Sequence, residues 1–210
     1  MNADPDIVAI GIAGHLGLDA DARARVSAAA ALWFRQRVLA AGWTRVRLLC
    51  GLAPGADVVL AEALLQAGPG LGVRVELQAL MVAEPETLLA AWQQRAAELG
   101  TPPSTQAQQR VRQRIDALLQ RASQVESLCA ADGSPGFQRL DARLALVPDE
   151  LVCVLRPGHA GKPGGAAELV AWRREPDAIP AALRAGADLC SSRAMLIIDP
   201  DTGEARYSRA

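Results

Sequence analysis

The chain is expected to fold as an α/β domain built on a doubly wound, mostly parallel sheet with helices on both faces. Three observations predict this. Short apolar or alternating runs of strand length recur at residues 7–12, 46–50, 73–80, 151–155 and 194–198. Segments whose apolar residues fall at helical spacing lie between most of them, and glycine-rich bends follow several strand runs directly, where a parallel strand gives way to its crossover helix. The 210 residues suit one well-buried α/β domain, and no linker composition divides them, so residues 1–210 are expected to form a single domain.

Ile7-Val8-Ala9-Ile10-Gly11-Ile12 reads as the first strand, and Ala13-Gly14-His15-Leu16-Gly17 is the bend that leaves it. Residues 21–41 follow as a helix with Val26, Ala30, Trp33, Phe34 and Val38 on one face, Asp19 or Asp21 available to cap its start, and Gly42 to end it. Val46-Arg47-Leu48-Leu49-Cys50 is the second strand. Gly51-Leu52-Ala53-Pro54-Gly55-Ala56-Asp57 bends away from it into a helix over 58–67, with Val59, Leu60, Ala63 and Leu64 on adjoining turns. Asp57 falls in the first turn, where a carboxylate suits the helix dipole and accepts from free N–H groups.

Residues 73–80 alternate before turning apolar, as a third strand does, and Pro85 suits the first turn of a helix over 86–99. After the break at 100–104, residues 106–122 carry Val111, Ile115, Leu118 and Leu119 at helical spacing. Arg110, Arg112, Arg114 and Arg121 lie on the same segment without interleaved aromatics, which reads as a solvated helix side rather than a nucleic-acid surface. A short strand is expected at 123–128, a loop at 130–136 and a helix at 137–146 with Leu140 and Leu144 inward.

Leu151-Val152-Cys153-Val154-Leu155 is uninterruptedly apolar, as in a central parallel strand covered on both faces. The loop at 156–165 breaks the chain with glycines and prolines, and a helix resumes from Ala166 through Arg174. A short helix at 176–185 and a last strand at 194–198 complete the expected elements. Asp199-Pro200-Asp201-Thr202-Gly203-Glu204 lacks the ligand run and distal glutamate of a calcium loop and reads as a turn.

Composition narrows the function. Half the residues are apolar, 3% are aromatic and the net charge is −1, so no basic field marks a nucleic-acid or membrane partner. Cys50, Cys129, Cys153 and Cys190 lack the paired spacing of zinc sites and are expected as reduced thiols, with no metal and no cofactor implied. The N-terminus lacks the pattern of a secretory signal, and no apolar run approaches bilayer length, so a cytoplasmic protein is expected. A homo-oligomer is compatible with the sequence.

Parallel strands present their C-terminal ends together, so the glycine bends are expected to open on one edge, where ligands of such sheets gather. Without a Cβ, backbone N–H groups approach phosphate oxygens closely, and a helix start adds partial positive charge. The expected walls of this crevice are Gly14 and His15, then Gly51, Leu52, Ala53, Gly55 and Asp57, and then Gly164, Gly165 and Ala166. A side chain at Gly55 is expected to block ligand while leaving the domain folded. His15 is a candidate for contact with phosphate or ribose; His159 and Lys162 read as solvated loop residues, and Ser191-Ser192 lacks the partners of a nucleophile.

An early glycine-histidine turn, a strand ending in Gly51-Leu52-Ala53-Pro54-Gly55-Ala56-Asp57, a helix containing Ala61-Glu62-Ala63, and a late strand leading to Gly164-Gly165-Ala166-Ala167-Glu168 occur in that order. Over roughly residues 7–172 the chain thereby resembles the SLOG superfamily of Rossmann-like domains, which joins the DNA-processing protein A fold to the LOG phosphoribohydrolases. The resemblance implies a pocket for a nucleotide or nucleotide-derived small molecule, lined by Glu168, used as a sensor or binding module. Its enzymatic alternative is an N-glycosidic hydrolase acting on a nucleoside monophosphate, with Glu168 catalytic. Here Pro163-Gly164-Gly165 matches only the start of the Pro-Gly-Gly-x-Gly-Thr-x-x-Glu loop of LOG enzymes, and the glutamate comes earlier. A scaffold that keeps the fold without a ligand is the third reading.

Overall fold

β1 (Val8–Gly14) lies between two parallel neighbours, β2 (Arg45–Cys50) and β5 (Glu150–Val154). The computed structural model describes residues 6–98, 100–129, 136–158, 161–184, 190 and 192–209; His159 and Ser191 lie outside them. With β3 (Arg74–Met81), β4 (Gln124–Ser127), β6 (Met195–Ile198) and β7 (Ala205–Ser208), the strands form one sheet in the order β4-β3-β2-β1-β5-β6-β7. Every pair is parallel except β6 with β7.

The chain therefore moves outward from β1 to β4, then returns to the other side of β1 at β5. Between them come α1 (Ala20–Ala41), α2 (Ala56–Gly70), α3 (Pro85–Glu98), α4 (Thr105–Arg121), α5 (Phe137–Leu146), α6 (Ala166–Arg174) and α7 (Ala181–Arg184). α1 packs on α2 and α2 on α4, whereas α5 packs on α6 and α7. Right-handed crossovers that reverse direction at β1 put these two groups on opposite faces, which is the doubly wound α/β arrangement expected from the sequence.

Local chemistry accounts for most boundaries. Asp19 accepts from Ala22 N at 2.7 Å and starts α1, and Gly42 ends it in the left-handed region at φ 66°. The expected inward face of α1, Val26, Ala30, Trp33, Phe34 and Val38, is buried. Ser104 caps α4 by accepting from Ala107 N at 3.2 Å. Leu151 to Val154 of β5 are all buried, as an apolar run requires of a strand covered on both faces, and the strand also takes in the buried Glu150 at its start. No helix among the described residues is long and apolar enough to cross a membrane.

Two elements differ from expectation. The segment at 176–185 divides into a 3-10 turn, Pro176–Ala178, and the four-residue α7. β7 was not foreseen, because it is only four residues long and all of them are exposed; it forms by hydrogen bonding to β6 across the turn that the sequence does predict.

Arg173 of α6 is fully buried and ties the layers together. Its guanidinium donates to the carbonyls of Ala145 at 3.0 Å, Asp149 at 3.0 Å and Ala194 at 3.4 Å, joining α6 to the end of α5 and to the entries of β5 and β6. Burial lowers its pKa to about 10. Arg173→Ala is expected to cost about 3 kcal/mol in urea denaturation, since it leaves a void and carbonyls without their donor. An unchanged midpoint would show that water replaces those bonds without loss.

Candidate functional site at the C-terminal edge of the sheet

The three glycine bends leave β2, β1 and β5, which are adjacent, and all three lie at the same edge. In register, Ile12 stands opposite Cys50 and Gly14 opposite Val154, so the strands end nearly level. The place where β1 and β5 diverge is the topological switch point of the sheet.

His15 is the hub of this edge. Its backbone N donates to Val154 O at 3.3 Å, its carbonyl accepts from Ala56 N at 3.0 Å, and its Nε2 accepts from Arg156 N at 3.0 Å. One residue thus joins the bends after β1, β2 and β5. Accepting through Nε2 requires that this nitrogen be unprotonated.

Several glycines at this edge serve the chain itself. A Cβ on Gly14 would lie 2.6 Å from Ala56 Cβ and 2.7 Å from Val154 Cβ, and one on Gly51 would meet Leu140 of α5 at 2.5 Å. Gly55, at φ +132°, leaves no room for a side chain: a Cβ would come within 2.5 Å of His15 O and 2.8 Å of Gly17 N. The expectation that Gly55 tolerates a side chain while the domain stays folded is therefore corrected. Its bare backbone is what lets two bends touch.

The bend after β2 also satisfies itself. Leu52, fully buried and at φ 53°, donates its amide to Cys50 Sγ at 3.4 Å, and Ala53 N donates to Asp57 Oδ2 at 3.2 Å. Asp57 thus turns back to brace the loop, and it also accepts from its own amide in the first turn of α2. The bend before α6 is different. Gly164, at φ +72°, donates its amide to Glu168 Oε2 at 2.7 Å, while the half-buried Gly165 and Ala166 keep their amides without a hydrogen-bond partner among the described residues. These are the open N–H groups of a helix start.

Carboxylates gather beneath the edge. Glu168 also accepts from Gln138 Nε2 at 3.5 Å. Asp141 of α5 is 5% exposed, and its Oδ2 has no hydrogen-bond partner among the described residues. Burial first, then the charges of Glu168 and Asp57, raise its pKa to about 7. Burial raises Asp57 to about 7 as well, against the amides that stabilise its charge. Near neutrality both carboxyls are therefore partly protonated and able to donate as well as accept. The buried Cys50 and Cys153 thiols are pushed up by desolvation and by these neighbours, which leaves them unreactive.

Sequence reading missed Asp141, although a signal existed: it follows Leu140 and precedes Leu144 by three, a polar residue on the inward face of α5. It also missed Arg156, which pairs with Asp201 through Nε at 2.9 Å and a terminal nitrogen at 3.1 Å. That pair holds the Asp201 carboxyl below its usual range. With Arg25 Nε donating to Pro200 O at 3.1 Å, it brings the β6–β7 turn over the α1 side of the switch point. Lys162 is exposed, as expected. No cluster suited to a metal ion occurs among the described residues. Two grooves, of about 360 and 460 Å³, lie elsewhere and include none of the bend residues. Comparison with protein-family models, curated proteins and solved structures finds no match for the chain.

Proposed function

We propose that the edge where β1 and β5 diverge binds a nucleotide or a nucleotide-derived small molecule, and that the protein is a binding or sensing module of the SLOG type in the cytoplasm. The observation that carries this reading is the pair of open amides at Gly165 and Ala166, at a helix start beside the switch point. A helix start with unpaired N–H groups is suited to phosphate. In this reading the amides of Gly165 and Ala166 hold the phosphate, Gly164 turns the chain so that they face it, and Glu168 accepts from ribose hydroxyls. His15, Gly14, Gly51, Leu52, Ala53, Gly55 and Asp57 shape the wall behind them.

Calorimetric titration with nucleoside monophosphates and ADP-ribose tests this. At least one ligand is expected to bind, and Ala166→Asp is expected to weaken it tenfold or more. The new carboxylate repels phosphate but suits the first turn of a helix, so the fold is retained. Silence across the panel, or full affinity in the variant, rejects the reading. The hydrolase alternative rests on Glu168 lying near enough to the raised carboxyl of Asp141 for its charge to act on it. Chromatography would then detect free base released from a nucleoside monophosphate, with the release lost in Glu168→Gln.

A further inference from the structure

α1 turns Ala22, Val26, Ala30, Trp33, Phe34 and Val38 into the core. The line directly opposite is Asp21, Ala24, Ala28, Leu32, Arg35 and Leu39, spaced by three and four residues, and all six are exposed. A surface helix ordinarily carries charged and polar residues along such a line. Here only its two charges do so, and the rest is alanine and leucine. Among the described residues the two most exposed large apolar side chains are Leu32, at 59%, and Leu39, at 70%, and both stand on this line. Single exposed leucines need no explanation, but apolar residues aligned over about five turns form a patch of the kind that marks a protein contact.

The two charges say what the partner is. Asp21 and Arg35 lie seven residues to either side of Ala28, and Ala24 and Leu32 lie four to either side. When a helix packs antiparallel on a copy of itself about a twofold axis, each residue faces the one equally far beyond that axis. With the axis at Ala28, Arg35 meets Asp21 of the second copy, twice over, and Leu32 covers Ala24. Neither charge has a partner within its own chain among the described residues. The small side chain of Ala28 at the crossing lets the helix axes approach to about 8 Å. An axis midway between Ala28 and Leu32 would instead set Arg35 against Arg25 of the second copy, so the charges favour one register over the other. Exposed ion pairs add little strength but reject mismatched alignments, while the leucines supply the attraction.

We propose that the protein forms a twofold homodimer through the outer face of α1, with the two helices antiparallel and Ala28 on the axis. The interface shares no residue with the nucleotide reading, so each stands or falls without the other. Sedimentation velocity of the full chain at increasing concentration is expected to show monomer passing into dimer. Leu32→Glu is expected to abolish that association, and Arg35→Glu and Asp21→Lys are each expected to weaken it tenfold or more. The double exchange is expected to recover most of the loss, because the pair re-forms with its signs reversed. All three positions are exposed, so circular dichroism should show the fold retained in every variant. A monomer at every concentration would leave this face to another protein or to solvent and overturns the proposal. So does a dimer indifferent to Leu32→Glu, or a double exchange that associates no more tightly than either single variant.

Discussion

Asp141→Asn is expected to stabilise the protein above neutral pH by up to about 4 kcal/mol, and the gain is expected to shrink towards zero near pH 4. The figure follows from a carboxyl raised from 3.8 to about 7, because each tenfold difference in acidity between the folded and unfolded states is worth about 1.4 kcal/mol. Below the unfolded value the side chain is protonated in both states and costs nothing. Between the two values the unfolded chain releases its proton while the folded chain keeps it, so the stability of the native protein falls as pH rises. Above about 7 the folded protein must hold the buried charge, and the loss is complete. Asparagine removes that titration. Urea denaturation of both proteins from pH 4.5 to 8.5 measures the gap, and a gap that stays constant across this range would refute the account. Asp57→Asn is expected to follow the same pH direction, because Asp57 is raised to a similar value and asparagine still offers Ala53 an acceptor.

Gly55→Val is expected to cost more than about 4 kcal/mol and to abolish any binding at the C-terminal edge along with the fold around it. Two penalties act together. A φ of +132° is a region that β-branched residues essentially never adopt, and a Cβ would be driven into the His15 carbonyl and the Gly17 nitrogen. Backbone atoms of a stitched loop do not yield as the end of a flexible side chain does. Gly42→Val provides the control: its φ is 66°, also positive, but no atom lies within 4 Å of an added Cβ, so only the conformational penalty applies. Denaturation midpoints should separate the two variants by several kcal/mol. Similar losses in both would mean that the contact between bends contributes little.

Much of the fold was legible because its signals are local. The α1 face, the cap at Asp19 and the stop at Gly42 follow from spacing and residue type within one segment. The unbroken β5 run announced a strand buried on both faces, and the repeated passage from strand through glycine bend to helix announced a parallel sheet. The candidate edge was legible to the same extent. Naming the bends required only that parallel strands end together.

The use made of each residue was not legible. Gly55 looks like a ligand-approach glycine in the sequence, yet its open side is taken by His15, forty positions earlier. The spacing of Asp141 places it on the inward face of α5, but only the fold brings Glu168 and Asp57 near enough for their charges to act on it. Glu150 begins a strand, and nothing near it in the chain says that one of its oxygens will be held by Arg37 of α1.

By itself, then, the order of residues determined the elements, their parallel alternation and the edge at which the bends emerge, because hydrophobic period, capping and turn chemistry act within a few residues. Only the tertiary structure decided which amides stay open, which glycines serve the chain's own packing and which carboxyls lose their solvent. Those properties depend on atoms distant in sequence, brought within a few ångströms by the packing of helices on the sheet.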